Sequence, residues 1–307
     1  MRVLITGING FVGTNIKAHL GMEYFLIGVS RTPKTNEVSW SKLCETNEVN
    51  AEIWIHLAGK AHDLKGETHA SDYIQANTTL TKKVFDSFLQ DKSAEKFIFF
   101  SSVKSAASEV DGWLKEEDQF ELDNAYGKSK RLAEEYLLSQ ELPKSKKLII
   151  LRPCMIHGAG NKGNLNLLYK FVSLGIPYPL ARFENSRSFL SINNLIYIID
   201  EIIKSKSLQS GVYNVADDKA LSTNRLIEIM GKQSLKKIKF LRINQSVIKC
   251  LAKIGDVLHL PLNSNRVQKL TESYKVSNRK IKEALHIEHL PLTAEEGIYK
   301  TLKSFNK

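Results

Sequence analysis

From its first residue the chain alternates short apolar runs with longer amphipathic stretches. Arg2–Thr6 (RVLIT), Tyr24–Val29 (YFLIGV), Ile53–Ala58 (IWIHLA) and Lys96–Ser102 (KFIFFSS) have the length and content of strands buried on both faces. Helical spacing follows the first of them over Val12–Leu20. Strands that alternate with helices predict an α/β fold with a parallel, doubly wound sheet. The second half mixes shorter elements. Leu165–Leu174 reads as a helix, Gly175–Pro179 as a Pro/Gly break, and Ser222–Met230 as a helix opened by Ser-Thr-Asn capping chemistry. Gln245–Leu258 is a further amphipathic helix, for which core packing, a partner surface or a lipid surface are all open readings. With 307 residues, 42% of them hydrophobic, the chain can build a sizeable core as one large domain or two smaller ones.

The first strand runs directly into Gly7, Gly10 and Gly13, spaced GxxGxxG. Such a turn lets the backbone approach a pyrophosphate closely and packs the next helix tightly on the strand. The helix beginning near Phe11 would aim free N–H groups at the phosphates. Strand, glycine turn and helix in this order predict a Rossmann-type dinucleotide site. That domain is expected over 1–159, with 188–217 returning to it. A smaller C-terminal substrate-binding lobe is expected over 160–187 and 218–307.

In NAD-selective sites an acid near the end of the second strand takes the ribose 2′-hydroxyl. Here that strand runs into Ser30 and Arg31. A hydroxyl and a guanidinium suit a 2′-phosphate. The expected cofactor is therefore NADP(H), with NAD(H) as the alternative.

Tyr126–Lys130 (YGKSK) sets a phenol and an ammonium four residues apart, on one helix face. A nearby ammonium favours the phenolate, so Tyr126 can exchange a proton with a substrate oxygen. Ser102, at the carboxyl end of a central strand, is the candidate for orienting that oxygen. Its bland alternative is a strand-end serine capping the next segment. Ile53–Ala58 borders the cofactor, with Gly59 allowing close approach, and Asn77 opens or lies within a helix beneath the site. His56 reads as a packed strand residue rather than a catalyst. No metal site is predicted, because His62 and His69 are loosely spaced and no Cys accompanies them.

GINGFVG, HLAGKAH, FIFFSSVKS and YGKSK, in this order, resemble the extended short-chain dehydrogenase/reductase family. That family includes nucleotide-sugar epimerases, dehydratases and 4-ketoreductases. The resemblance extends through Leu151–Gly158 (LRPCMIHG), Asn161–Leu168 (NKGNLNLL), Arg187–Leu195 (RSFLSINNL) and Gly211–Asp217 (GVYNVAD). Within the family, SSVKS, the KGN turn and NSRS look closest to reductases of UDP-4-keto-6-deoxy-N-acetylhexosamines in bacterial surface-polysaccharide synthesis.

The resemblance implies Ser102, Tyr126 and Lys130 as the catalytic trio. It implies a cofactor lining of Gly7, Asn9, Gly10, Phe11, Val12 and Gly13 from the first turn, and Ser30 and Arg31 from the second strand. Leu57, Ala58, Gly59, Asn77, Lys130 and Pro153 complete that lining. Lys104, Asn164, Arg187 and Arg266 would meet the substrate, Asn164 and Arg187 at its diphosphate. It also implies a homodimer through two helices, one bearing Tyr126. The chain departs from many relatives at Ser105, Ala106 and Ala107, and at His157, where a Tyr is common. The alternative to 4-keto reduction is a 4-epimerase with retained NAD; a non-catalytic redox sensor is a third reading.

Lys and Arg exceed Asp and Glu, for a formal net charge of +11. Nucleic-acid binding would use such an excess, but the chain has no DNA-reading motif or aromatic-plus-basic platform. Attraction to an anionic nucleotide sugar or to the acidic inner membrane surface would also use it. So would a merely solvated surface. Cys44, Cys154 and Cys250 are too few and scattered for a disulfide framework, which points to a reducing cytoplasm. No signal peptide is expected, and no apolar run approaches the ~20 residues of a membrane span.

Overall fold

The computed structural model describes residues 1–46, 49–61, 68–161, 164–258 and 263–305. Seven strands form the central sheet: β1 (Arg2–Thr6), β2 (Phe25–Ser30), β3 (Glu37–Ser39), β4 (Ile53–His56), β5 (Lys96–Phe100), β6 (Lys147–Pro153) and β7 (Gly211–Val215). They lie in the order β3-β2-β1-β4-β5-β6-β7, and every pairing is parallel. The strand order reverses between β1 and β4, the switch point where open α/β sheets bind ligands beyond the carboxyl ends of their strands. The sheet is Rossmann-like.

Ten principal helices accompany it: α1 (Phe11–Leu20), α2 (Leu80–Gln90), α3 (Ala125–Leu138), α4 (Asn164–Ser173), α5 (Ile192–Lys204), α6 (Thr223–Gln233), α7 (Gln245–Val257), α8 (Ser264–Thr271), α9 (Arg279–Leu285) and α10 (Ala294–Phe305). Alternation along β5 shows why both faces are covered. Phe97 and Phe99 point into a core with Trp54, Phe85 and Phe88, under α2 and α3. Ile98 and Phe100 point into the opposite core, with Ile16 of α1 and the apolar face of α5. Each such side chain stabilises the fold by roughly 1.5–3 kcal/mol when fully buried.

A separate apolar cluster builds the lobe from α4, α6, α7, α8 and α10, including Leu165, Val172, Ile227, Ile248, Val267 and Ile298. Tyr274, Val276, Ile281, Leu285, Ile287 and Leu290 bury in the sheet's core. The apolar residues of α9 find their partners against β7. The returning segment 188–217 contributes β7, which pairs with β6 from Gly211↔Ile149 to Val215↔Pro153.

Candidate active site

The carboxyl ends of β1, β4, β5 and β6 lie side by side along one edge of the parallel sheet. Gly7 leaves β1 at φ +72, in the left-handed region that favours glycine. A Cβ there would lie 2.9 Å from the Ala58 backbone nitrogen. At Gly13 a Cβ would come within 2.5 Å of the Gly7 carbonyl, so α1 can seat on the turn only with glycine at this position. Gly10 caps α1 without a side chain, and the first turn carries no acid. Asn9, Phe11 and Val12 complete the turn. Anchoring comes from β4's end: the Ala58 amide donates to Thr6 Oγ1 at 3.2 Å, and Leu57 N to the Thr6 carbonyl at 3.2 Å. This bare, anion-ready cradle fits a dinucleotide pyrophosphate. His56, wholly buried between Thr6 and Thr81 at 2.6 and 3.0 Å, is a packed strand residue. Burial lowers its pKa to about 3.

At the end of β2 the fold adds a group that the sequence reading lacked. Register pairs Gly28 with Glu37 and Ser30 with Ser39. The Ser30 hydroxyl donates to Glu37 Oε2 at 2.7 Å, and the Lys34 amide reaches the same oxygen at 3.3 Å. Ser30 first, with further help from the Lys34 amide and Asn9, holds this carboxyl below its usual pKa against the effect of burial. Its Oε1 is buried without a hydrogen-bond partner. The hydroxyl expected to meet a 2′-phosphate is thus engaged by a carboxylate, while Arg31 is exposed beside it.

Ser102, Tyr126 and Lys130 come together at the switch point's far side. Ser102 follows β5 and caps a short 3₁₀ turn, accepting from the Lys104 amide at 3.2 Å. Asn124 caps α3 by accepting from the Gly127 amide at 2.6 Å, which orients the helix start carrying Tyr126. Burial raises the Tyr126 pKa; the Ser102 hydroxyl, hydrogen-bonded to it, pulls it down, and Tyr73 and Glu134 add to the rise. Tyr126 is therefore a protonated acid at neutral pH. Lys130 is buried, donates to the Phe100 carbonyl at 2.7 Å and lies 4.8 Å from the Phe99 ring centroid. Burial lowers its pKa to about 8, with Glu134 opposing.

Asn77 lies in a wide helical turn over Ile74–Thr79 and is fully buried. It accepts from the Lys60 amide at 2.8 Å, and donates to the Lys60 carbonyl at 3.0 Å and to Ser129 Oγ at 2.9 Å. It therefore ties the loop after β4 to α3. At Gly59 a Cβ would sit 2.6 Å from Asn77 Oδ1 and 3.3 Å from Lys130 Nζ, so close approach is required there. Pro153 ends β6 at the same edge.

Two residues beneath the trio escaped the sequence reading. Glu134 sits one turn beyond Lys130 and receives Arg152 through its Nε at 3.1 Å and Nη2 at 2.6 Å. The same carboxylate accepts from Ser101 and, at 2.5 Å, from Ser105. The one loop that carries both serines is thus tied to α3. The available signal was the i, i+4, i+8 placement of Tyr126, Lys130 and Glu134 on one helix face.

The residues proposed for the substrate are arranged less uniformly. Arg187 pairs with Glu272 at 3.3 Å and also donates to the Lys269 carbonyl. Lys104 donates to the Ser108 carbonyl at 2.7 Å and lies 4.1 Å from the Tyr274 ring centroid. Burial lowers its pKa, and Glu272 acts against that. Lys104 and Arg187 therefore share one acidic neighbour that the sequence reading did not foresee. Arg266 is exposed on α8. Asn164 opens α4, but its side chain, and the Lys162–Gly163 part of the KGN turn, lie outside the described residues, as does His62.

A glycine cradle at a parallel-sheet switch point, with serine, tyrosine and lysine beside it, fits an enzyme that works with a nicotinamide dinucleotide. The NAD dependent epimerase/dehydratase family model matches residues 3–216, and the chain belongs to that family. It is 29% identical over 319 residues to a Vibrio cholerae UDP-glucose 4-epimerase, covering 99% of this chain and 95% of that protein. It is 34% identical over 137 residues to a Pseudomonas aeruginosa UDP-2-acetamido-2,6-beta-L-arabino-hexul-4-ose reductase, covering 45% of this chain and 31% of that protein. Two solved structures share the fold. RMD from Pseudomonas aeruginosa, complexed with NADPH, aligns with TM-score 0.75, 17% identity and coverage of 99% of this chain and 98% of the other. WbmG from Bordetella bronchiseptica, in complex with NAD, aligns with TM-score 0.76, 15% identity and coverage of 100% of this chain and 94% of the other. The protein is an NAD(P)-dependent nucleotide-sugar enzyme of the reductase/epimerase kind.

Proposed function

We propose that the protein reduces the 4-keto group of a UDP-linked 4-keto-6-deoxy-N-acetylhexosamine, in surface-polysaccharide synthesis. The observation that carries this reading is the Ser102–Tyr126–Lys130 set, with Ser102 and Lys130 buried and half-buried Tyr126 held in its acid form. The glycine turn, Ala58, Asn77 and Pro153 would hold the dinucleotide, which supplies a hydride when bound. Tyr126 gives its proton to the oxygen developing negative charge at sugar C4, and Ser102 donates a hydrogen bond to the same oxygen. Lys130, still charged below about pH 8, stabilises the phenolate left behind. Arg187 and Lys104 would take the substrate diphosphate in exchange for Glu272.

The finer reading of cofactor choice turns on the end of β2. Ser30 and Arg31 alone pointed to NADP(H). With Glu37 engaging Ser30, we infer a preference for NAD(H), because a carboxylate there accepts from a free 2′-hydroxyl and repels a 2′-phosphate. We further infer a homodimer, and a reducing cytoplasm as its setting; the three free cysteines support the second reading.

The test is oxidation of NADH or NADPH with UDP-2-acetamido-2,6-dideoxy-4-keto-glucose made in situ by a dehydratase. Rapid oxidation, lost in Tyr126→Phe, is the expected result. Undiminished turnover in Tyr126→Phe rules the mechanism out. The second reading, 4-epimerisation with retained NAD, is favoured by the full-length similarity to the Vibrio cholerae epimerase. Interconversion of UDP-glucose and UDP-galactose without added cofactor, together with no keto-sugar reduction, would establish it instead.

A further inference from the structure

Helix α7 has two apolar faces, and the lobe covers one of them. Ile248, Ala252 and Gly255 are buried against the lobe's core. Val247, Leu251, Ile254 and Leu258 follow the i, i+4, i+7, i+11 spacing of a second stripe and are 49%, 46%, 47% and 62% exposed. Val257, 76% exposed, widens its edge. Single exposed apolar residues are ordinary, but a contiguous stripe along a helix marks an interaction surface.

Charge identifies what the stripe meets. From Lys232 to Lys253 the chain carries seven basic residues and no acidic one. Lys249 and Lys253 stand exposed on α7 itself. The segment before α7 is pinned beside the 175–180 turn, with Tyr178 N donating to the Lys239 carbonyl and Leu241 N to the Tyr178 carbonyl, each at 2.8 Å. That turn adds exposed Leu174 and Ile176 next to the lysines. We propose that this face seats on the anionic surface of a lipid bilayer, with the aliphatic stripe at the acyl boundary and the lysines at lipid phosphates.

Three features select that occupant. At 13 residues α7 is suited to lie in the interface, and no helix among the described residues is long and apolar enough to cross a membrane. A second copy would bring this patch against itself across a two-fold axis, setting lysines against lysines. A nucleic acid would engage the lysines but leave the aliphatic stripe in water. Aliphatic side chains beside basic ones match the headgroup boundary of an anionic leaflet.

The test is co-sedimentation of the full chain with vesicles of phosphatidylcholine, alone or mixed with phosphatidylglycerol. Binding is expected to the mixed vesicles at low ionic strength, with release as salt shortens the Debye length. Leu251→Glu combined with Ile254→Glu is expected to cut partitioning at least roughly tenfold while leaving the thermal melt unchanged, because both sites are exposed. A second variant, Lys249→Glu with Lys253→Glu, is expected to lose the selectivity for phosphatidylglycerol. The proposal is overturned if the native chain stays in the supernatant with both vesicle types, or if the Leu251/Ile254 variant binds as the native chain does. It is also overturned if that variant instead dissociates a self-associated species seen by sedimentation velocity, which would make a second copy the occupant.

Discussion

Two arginine–carboxylate pairs do different work in the two halves of the molecule. Glu134 of α3 and Arg152 of β6 form the first, with both side chains 3% exposed and the carboxylate saturated by Arg152, Ser101 and Ser105. Arg187 and Glu272 lie at the lobe, 23% and 22% exposed and joined at 3.3 Å. A fully desolvated pair cannot be opened without stranding a charge, so the first is a fixture that holds Ser102 and Tyr126 in register. The second is part-exposed and can exchange partners at less cost, as the proposed diphosphate grip requires. In the function proposed above, rigidity beside Ser102 and Tyr126 and exchangeability beside Arg187 would thus be built from the same chemistry by different burial.

The largest expected effect breaks the fixture. Glu134→Leu leaves Arg152 buried without a counter-charge and should destabilise the protein by about 3–5 kcal/mol. Thermal denaturation would register the loss, and the Glu134→Leu/Arg152→Met pair should recover much of it. A single variant as stable as the native chain would remove the contrast between the two pairs.

Next comes Lys130, which sharpens the contrast by separating function from stability. Its folded pKa of about 8 lies below the ordinary 10.5, so burial of the charged form disfavours folding. That penalty is fully present below about pH 8, shrinks as pH rises from about 8 towards 10.5, and is absent above. At neutral pH it amounts to roughly 3 kcal/mol. Lys130→Met is therefore expected to abolish turnover and yet raise the melting temperature at pH 7, with the gain vanishing near pH 10.5. In the native enzyme, reduction should slow as pH rises through about 8, where Lys130 loses its charge.

The legibility of these groups in the sequence follows from how each is positioned. Ser102 and the glycine turn sit where a strand ends, and Tyr126 and Lys130 share one helix turn, so local pattern sufficed. Glu37 could not be read this way. It is seven residues beyond Ser30, and only the pairing of β3 with β2 brings it back. Glu272 likewise reaches Arg187 from 85 residues away through the pairing of Arg187 with Tyr274. The apolar pattern of α7 was ambiguous because it marks two faces at once, and periodicity does not say which one the lobe covers.

Exchangeability at the lobe predicts a kinetic signature. Arg187→Ala should raise KM for the nucleotide sugar roughly 10- to 100-fold, the cost of losing charge-assisted hydrogen bonds to a diphosphate. Its effect on stability should stay within about 1 kcal/mol, because the pair it breaks is part-exposed. Initial-rate kinetics and a thermal melt together check this. A large stability loss with unchanged KM would make Arg187 a second fixture.

The smallest effect tests whether Glu37 belongs with the fixtures or with the recognition groups. Its Oε2 is held by Ser30 and the Lys34 amide, while Oε1 is buried without a partner, an arrangement that is costly unless something donates to it. A ribose 2′-hydroxyl is such a donor. Glu37→Gln keeps the shape and removes the charge, so it should weaken NADH binding modestly and strengthen NADPH binding, moving the ratio of the two dissociation constants by roughly tenfold. Fluorescence titration of each cofactor measures the ratio without any turnover. An unchanged ratio with a lowered melting temperature would assign Glu37 to the structure of the β2–β3 edge and return the choice of cofactor to Arg31.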